Sequence, residues 1–182
     1  MSATATAASE PLNIDRGRLE KTTKKLTNPF LMRLFLLAKL PLGFVAGLRV
    51  KSIDERRCET TVPYGWRTQN PFRSTYFAAQ SMAAELSTGA LAMLAVELAP
   101  SDLAPSSVAM LITDMDAEFG KKATDISTFT CEAGDEIFAA VAETCRTGEP
   151  ATAKVLTVGR LPDGTEVSRF HFTWSFKKRS AK

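Results

Sequence analysis

Two side chains able to do chemistry flank a predicted helix start in the stretch NPFRSTYFAAQSMAAELSTGALAM, residues 70–93. Asn70 precedes the helical pattern, and Glu85 lies fifteen residues further on, within a run of alanines and methionines. A carboxylate in such a run is suited to act as a general base or a nucleophile. The amide of Asn70 could orient a water molecule or the acid. The alternative is that Glu85 is simply exposed or paired with an arginine.

The chain contains few of the histidine and cysteine residues that other catalytic mechanisms need. The chain contains one histidine, His171, which the strand pattern predicts to be a solvated residue, so a Ser–His or Cys–His mechanism has a single position to use. Cys58, Cys131 and Cys145 are odd in number and too widely spaced for a zinc ribbon or a disulfide framework. We therefore predict reduced thiols, a cytoplasmic protein and no metal or other cofactor. A net charge of only +3 predicts no nucleic-acid partner.

The 182 residues and 45% hydrophobic content predict one domain with one core, over residues 28–178. Residues 1–27 are small, polar and mixed in charge, which predicts a poorly ordered tail. Residues 28–44 are strongly apolar and predict a helix that begins with Asn28 and Pro29 and packs on the body of the domain.

That apolar segment is interrupted by Arg33, Lys39 and Pro41, so it is shorter than the roughly 20 residues that a membrane-spanning helix needs. We expect no membrane contact from it. An interfacial membrane helix is the alternative interpretation.

The remaining periodicities alternate between strand and helix. Helical spacing predicts a long helix over 75–98 and a short one over 135–146. Alternation predicts strands over 45–51, 54–62, 106–120, 124–134, 151–161 and 165–177. Asp54 predicts a tight turn between the first two strands, and Asp163 with Gly164 predicts a hairpin between the last two. In the last strand one face carries four aromatic side chains, Phe170, Phe172, Trp174 and Phe176, opposite the face of His171. The short connections favour a largely antiparallel sheet, and the many small residues of the long helix favour a sheet that curves around it. The fold class is therefore α+β.

This pattern resembles the hotdog-fold acyl-CoA thioesterases, particularly the phenylacetyl-CoA thioesterase type and its uncharacterised relatives. The resemblance covers about residues 45–177 and is sharpest from Asn70 to Glu85, whose fifteen-residue spacing matches the family's amide and acid. The segment MDAEFGKKA, residues 115–123, is similar to the family's strand after the central helix. The chain departs at residues 76–78, where Tyr-Phe-Ala replaces a frequent His-Gly-Gly, and at Gly89, where one branch has threonine.

The resemblance implies a division of catalytic roles between two subunits. The backbone amide of Phe77, with Ala78 beside it, would hold the thioester oxygen, and Glu85 would be the base or nucleophile. One helix rises 1.5 Å per residue, so these groups are about 12 Å apart and cannot reach one carbonyl. The resemblance therefore implies a homodimer, open to further pairing into a tetramer, in which the helix start of one subunit faces the acid of the other.

The resemblance also implies an acyl-CoA substrate, with coenzyme A present only as part of that substrate. Tyr76 and Phe77 would line the acyl pocket, although ordinary core packing is the alternative for both. Ser81 and Thr88 lie on the same face of the predicted helix as Glu85, so their hydroxyl groups would lie close to its carboxylate. The candidates for binding phosphate are three basic residues, Arg73, Lys121 and Lys122.

Three functions remain open at this point. A thioesterase would hydrolyse a fatty or aromatic acyl-CoA using Glu85. A non-catalytic protein would hold an acyl ligand in the same groove. A dehydratase is the weakest of the three, because that chemistry needs a histidine near the central helix and His171 lies in the last predicted strand.

Overall fold

The computed structural model describes residues 14–99 and 108–179, and within them it contains five helices and six strands. The helices are α1 (Arg16–Thr27), α2 (Pro29–Lys39), α3 (Pro41–Ala46), α4 (Phe77–Leu98) and α5 (Gly134–Thr147). The strands are β1 (Arg49–Ile53), β2 (Cys58–Val62), β3 (Val108–Phe119), β4 (Ser127–Cys131), β5 (Ala151–Arg160) and β6 (Glu166–Lys178).

The N-terminal layer, which consists of α1, α2 and α3, is more helical than the sequence predicted. The prediction of a poorly ordered tail to residue 27 is corrected over α1, where the Asp15 side chain caps the helix and Leu19 is buried. Residues 1–13 of that predicted tail lie outside the described residues. The capping carboxylate of Asp15 accepts hydrogen bonds from the amides of Gly17 and Arg18 at 2.8 and 3.2 Å.

The single helix predicted over 28–44 is two helices. Asn28 caps α2 with its side-chain oxygen, as the Asn-Pro start predicted. The helix then breaks at Leu40, because the residue before a proline is disfavoured in the helical region. Pro41 begins α3, which ends at Gly47 in the left-handed conformation with φ 78°.

The six strands form one antiparallel sheet in the order β1-β2-β4-β5-β6-β3. The strands β1 and β2 begin later than predicted, since α3 continues through Ala46 and residues 54–57 form the turn. In that turn the Asp54 carboxylate accepts the amides of Arg56 and Arg57 at 2.7 and 2.8 Å. The predicted hairpin between β5 and β6 is confirmed, with Gly164 at φ 85°.

The long helix α4 packs against the concave face of the sheet, as its small residues predicted. It begins at Phe77, two residues later than predicted. Its carbonyl at Ala83 accepts the Thr60 hydroxyl of β2 at 2.6 Å, and the hydroxyls of Ser87 and Thr157 lie 2.8 Å apart. By length and composition α4 could cross a membrane, but 72% of its most apolar window is buried by the rest of the domain, which makes it a core helix.

The last strand supplies the aromatic half of the core. The side chains of Phe170, Phe172, Trp174 and Phe176 alternate inwards and are buried, as predicted. Its neighbour β3 forms an edge of the sheet and leaves most of its residues exposed. The sheet therefore has a buried aromatic strand, β6, next to an exposed edge strand, β3.

Candidate active site

The loop before α4 is held together by Asn70. Its side-chain oxygen accepts the amides of Phe72 and Ser74 at 3.0 and 3.2 Å, and its side-chain nitrogen donates to the Ser74 hydroxyl at 3.1 Å. The same loop places Arg73 in the left-handed region with φ 58°. Asn70 is thus engaged with its own loop, which differs from the predicted role of orienting a water molecule or the acid.

Two backbone hydrogen bonds fix where α4 begins. The Tyr76 amide donates to the Thr68 carbonyl at 2.7 Å, and the Thr75 amide donates to the Ala123 carbonyl at 2.7 Å. Within the described part of the chain, no side chain caps the helix at Tyr76. The first amides, at Phe77 and Ala78, have no acceptor within the helix and carry the positive end of its dipole.

A cavity of about 510 Å³ lies beside this helix start. It brings together five of the predicted site residues, which are Asn70, Tyr76, Phe77, Lys121 and Lys122. Arg73 is exposed in the adjoining loop but does not line the cavity. The pocket therefore combines an apolar wall with two cations at its mouth.

The apolar wall continues into the core as a chain of aromatic rings. Ring centroids are 4.7 Å apart for Tyr76 and Phe77, 6.4 Å for Phe77 and Phe119, and 5.5 Å for Phe119 and Phe170. Tyr76 and Phe77 are each about half exposed, so ordinary core packing does not account for them. They offer contact surface to a ligand in the cavity.

Glu85 lies two turns further along α4 and is half-buried. Its carboxylate makes no hydrogen bond and no ion pair with residues 14–99 or 108–179, which removes the alternative of an arginine partner there. Burial raises the pKa of Glu85 above its ordinary value. An uncompensated carboxylate of this kind is poised to accept a proton.

Gly89 makes room for that carboxylate. A Cβ atom at this position would lie 2.9 Å from Glu85 Oε1 and 3.4 Å from the Trp174 ring. A larger side chain would displace the acid, which gives the departure at residue 89 a physical reason.

In the described part of the chain, the predicted hydroxyl groups of Ser81 and Thr88 do not bind the Glu85 carboxylate. Thr88 is fully buried, donates its hydroxyl to the Glu85 carbonyl at 3.0 Å and accepts the Trp174 indole at 3.0 Å. The Ser81 hydroxyl donates to the Phe77 carbonyl at 2.9 Å. Both hydroxyls therefore serve the backbone and core, and neither binds the carboxylate.

Comparison with protein-family models matches residues 30–176 to a family described as a domain of unknown function, DUF4442. The chain belongs to the DUF4442 family. Among curated proteins, no sequence is significantly similar to it.

Solved structures with the same arrangement show the hotdog fold. A protein of unknown function from Chlorobaculum tepidum has a TM-score of 0.71 at 16% identity, covering 95% of this chain and 100% of its own. A protein of unknown function from Pseudomonas aeruginosa, described as a "probable thioesterase", has a TM-score of 0.67 at 16% identity, with coverages of 85% and 99%. A thioesterase from Haemophilus influenzae has a TM-score of 0.56 at 13% identity, with coverages of 80% and 88%.

In this DUF4442 chain the cavity and the acid are separate. Neither Glu85 nor Ala78 lines the cavity at the helix start, and eight residues of helix, about 12 Å, separate Phe77 from the carboxylate. Glu85 instead lies beside Gly89, two turns into α4. A single copy of the domain does not bring the predicted oxyanion donors to the predicted base.

Sequence reasoning missed Gln80 as a structural residue of the site. Its side chain is buried, lines the cavity, donates to the Thr75 carbonyl at 3.0 Å and accepts the Ser168 hydroxyl at 2.8 Å. It ties the first turn of α4 to β6. A glutamine on the same helical stripe as Ala83 and Ser87 was the available signal.

Metal chemistry has no visible ligand set here. In residues 14–99 and 108–179 no group of three or more His, Cys, Asp or Glu side chains is placed to hold an ion. His171 lies on the outer face of β6, 3.0 Å from Asp116, as its predicted solvated position implied. A hydrogen bond from His171, supported by Lys154, lowers the pKa of Asp116.

The cysteines match the prediction in part. Cys58 and Cys131 are free, buried and directly opposite each other on β2 and β4, while Cys145 is only partly buried. Burial raises the pKa of both strand thiols, to about 11 for Cys131, so neither is a reactive thiolate at neutral pH.

Proposed function

We propose that this DUF4442 protein is a cytoplasmic acyl-CoA thioesterase whose base is Glu85. The observation that carries the proposal is the half-buried carboxylate without a partner among the described residues, on the central helix of a hotdog fold. Structural neighbours described as thioesterases support the reaction class. The cavity beside the helix start, with its aromatic wall and two lysines, suits an acyl group joined to a phosphate-bearing carrier.

The reaction needs a base and an oxyanion site. Glu85 would take a proton from water while the resulting hydroxide attacks the thioester carbon. The free amides of a helix start, at Phe77 and Ala78, would stabilise the oxygen as it becomes negative. Collapse of the intermediate breaks the carbon–sulfur bond, and the proton held by Glu85 passes to the departing thiolate.

Because one helix cannot bring both groups to one carbonyl, the proposal includes a homodimer. The edge strand β3 has no strand paired with its outer edge within residues 14–99 and 108–179, and it exposes Leu111, Met115 and Phe119. An exposed apolar edge of this length is suited to pair with a second copy. Such pairing would carry the helix start of one subunit towards the open face of α4 that bears Glu85 in the other.

The direct test measures thiol release from short, long and aromatic acyl-CoAs by the wild-type protein and by Glu85→Gln. The matched control is Glu97→Gln, which removes an exposed carboxylate from the same helix. We expect Glu85→Gln to lose about 100-fold or more in kcat, as general-base removal does, and Glu97→Gln to lose less than about twofold. Equal loss in both variants, or no loss in either, would refute the role of Glu85.

A second function, binding an acyl ligand without hydrolysis, is favoured by the aromatic cavity, which is complete without Glu85. Calorimetric titration of the wild-type protein and Glu85→Gln with a non-hydrolysable acyl-CoA analogue separates the two. Equal binding by both proteins together with no thiol release from the wild-type protein would favour the binding function.

A further inference from the structure

The outer surface of the N-terminal layer is strongly apolar. We define the outer face as five exposed side chains of α2 and α3, which are Phe30, Leu34, Leu37, Leu42 and Val45. Phe30 is 75% exposed, Leu42 is 71% exposed, and the others are more than half exposed. The opposite side of α2 already supplies Met32 and Leu36 to the core, so the outer face is not needed for folding.

The same part of the chain carries a concentrated positive charge. Residues 16–51 contain nine lysines and arginines and one acid, Glu20, a formal charge of +8. The whole chain carries +3, so all the other residues together carry −5. The basic residues are thus concentrated in the layer that exposes the apolar side chains.

Basic side chains also line a cleft beside α2. A cleft of about 800 Å³ between α2 and the sheet is lined by Met32 together with Arg33, Arg49, Lys51 and Arg67. The Arg33 guanidinium lies over the Phe44 ring, 4.8 Å from its centroid. Lys51 is paired with Glu59 at 3.2 Å, whereas Arg49 and Arg67 have no ion pair within residues 14–99 and 108–179.

An aromatic side chain extends the surface beyond α3. Trp66 is 86% exposed and lines a shallow depression with Ala46, Pro63 and Arg67. Tryptophan beside arginine is typical of the interfacial zone of a bilayer, where the ring lies among headgroups. Trp66 therefore adds an exposed aromatic side chain close to the end of α3.

We propose that the outer face of α2 and α3 docks on the surface of an anionic phospholipid bilayer. The apolar side chains would enter the boundary between headgroups and acyl chains, and the basic residues would lie against the anionic headgroups. A second copy fits this face poorly, because it would set one +8 layer against another. Nucleic acid would satisfy the charges but would leave the leucines and Phe30 in water.

This interpretation departs from the sequence expectation of a helix packed on the domain without membrane contact. Periodicity showed that 28–44 is apolar, but only the structure shows that half of those side chains point outwards. The docking surface is separate from Glu85 and from the cavity at the start of α4, so it stands whether or not the protein hydrolyses a thioester.

The test is co-sedimentation of the full chain with phosphatidylcholine vesicles and with vesicles containing about 30% phosphatidylglycerol, at ionic strengths of about 0.15 M and about 1 M. We expect binding to the anionic vesicles to be at least about tenfold tighter than to the neutral ones and to weaken at high salt. Equal affinity for both compositions, or no binding to either, would overturn the proposal.

Two double variants separate the apolar and the charged contributions. Leu34→Gln with Leu37→Gln, and Lys39→Gln with Arg49→Gln, should each weaken anionic-vesicle binding by about tenfold or more while leaving the Tm unchanged, because all four side chains are exposed. Lys177→Gln with Lys178→Gln makes the same change in net charge at the far end of β6 and should alter binding by less than about twofold.

The solution mass distinguishes lipid from protein as the occupant. We expect the Leu34→Gln and Leu37→Gln variant to keep the wild-type mass in light scattering. A mass reduced by half would show that a second copy covers the outer face and would overturn membrane docking.

Discussion

At the start of α4, Asn70 uses both atoms of its side-chain amide in hydrogen bonds to Phe72 and Ser74, whereas two turns into the helix the carboxylate of Glu85 has no partner in the described residues. The two residues were predicted together as one catalytic pair. Their surroundings give them opposite properties, since satisfied hydrogen bonds fix a loop and an unsatisfied, half-buried carboxylate has a raised pKa and a free acceptor. The comparison indicates that Asn70 holds the loop before α4 together, and it supports the proposal that Glu85 is the base.

The largest effect should come from Glu85 and should depend on pH. A base must be deprotonated to act, so kcat is expected to rise with pH through the raised pKa of Glu85 and then level off. In Glu85→Gln this rise of kcat with pH should disappear, and kcat should fall by about 100-fold or more. Initial-rate measurements across the acidic pH range check this expectation. Glu97→Gln is the control, and its kcat should rise with pH as in the wild-type protein.

Asn70→Ala tests the structural half of the comparison. Removing the hydrogen bonds of a half-buried amide should lower the free energy of unfolding by about 1–2 kcal/mol. The Tm should therefore fall by about 2–8 °C. Thermal unfolding is the measurement, and Gln69→Ala, an exposed neighbour, is the control. An unchanged Tm together with a large loss of rate would return Asn70 to a catalytic role.

Gly89→Ala should separate rate from stability. The new Cβ would lie 2.9 Å from Glu85 Oε1 and displace the carboxylate, which should lower kcat by about tenfold. Alanine is the better helix former, so the Tm is not expected to fall by more than about 2 °C. Gly65→Ala, where a Cβ meets open space, is the matched control. Wild-type kcat in Gly89→Ala would show that the position of the carboxylate is not critical.

The lysines at the cavity mouth should have a smaller effect. Lys121→Gln with Lys122→Gln removes two cations beside the helix start and should raise KM for acyl-CoA by about threefold to tenfold, with kcat nearly unchanged. The control, Lys177→Gln with Lys178→Gln, removes the same number of positive charges at the end of β6 and should leave KM unchanged. A fall in kcat instead would place the lysines nearer the reacting carbonyl.

The smallest effect is the pH dependence of stability at Glu85. Its folded pKa is raised above the unfolded value, so its favourable contribution is complete below the ordinary glutamate pKa and is lost as pH rises through the folded pKa. Glu85→Gln should therefore have a slightly higher Tm than the wild-type protein at neutral pH and an equal Tm near pH 4. A Tm difference that grows towards acidic pH would contradict the assigned burial.

Much of the local structure could be predicted from the residue types. The Asn-Pro start of α2, the turn at Asp54, the Asp-Gly hairpin and the inward aromatics of β6 were all predicted because each depends on side chains close together in the chain. The N-terminal layer was less predictable. Capping by Asp15 outweighed the polar composition of α1, and the conformational restriction before Pro41 divided the helix expected over 28–44.

By itself the sequence determined the order of helices and strands, the small-residue face of α4 and the candidacy of Asn70 and Glu85, because periodicity and spacing are properties of the local chain. Only the tertiary structure decided that Lys121 and Lys122 lie at the start of α4, that Asn70 bonds within its own loop, and that Glu85 has no partner in residues 14–99 and 108–179. These outcomes depend on which distant elements pack together. The outer face of α2 and α3 is exposed for the same reason, since an apolar residue is buried only where another element covers it.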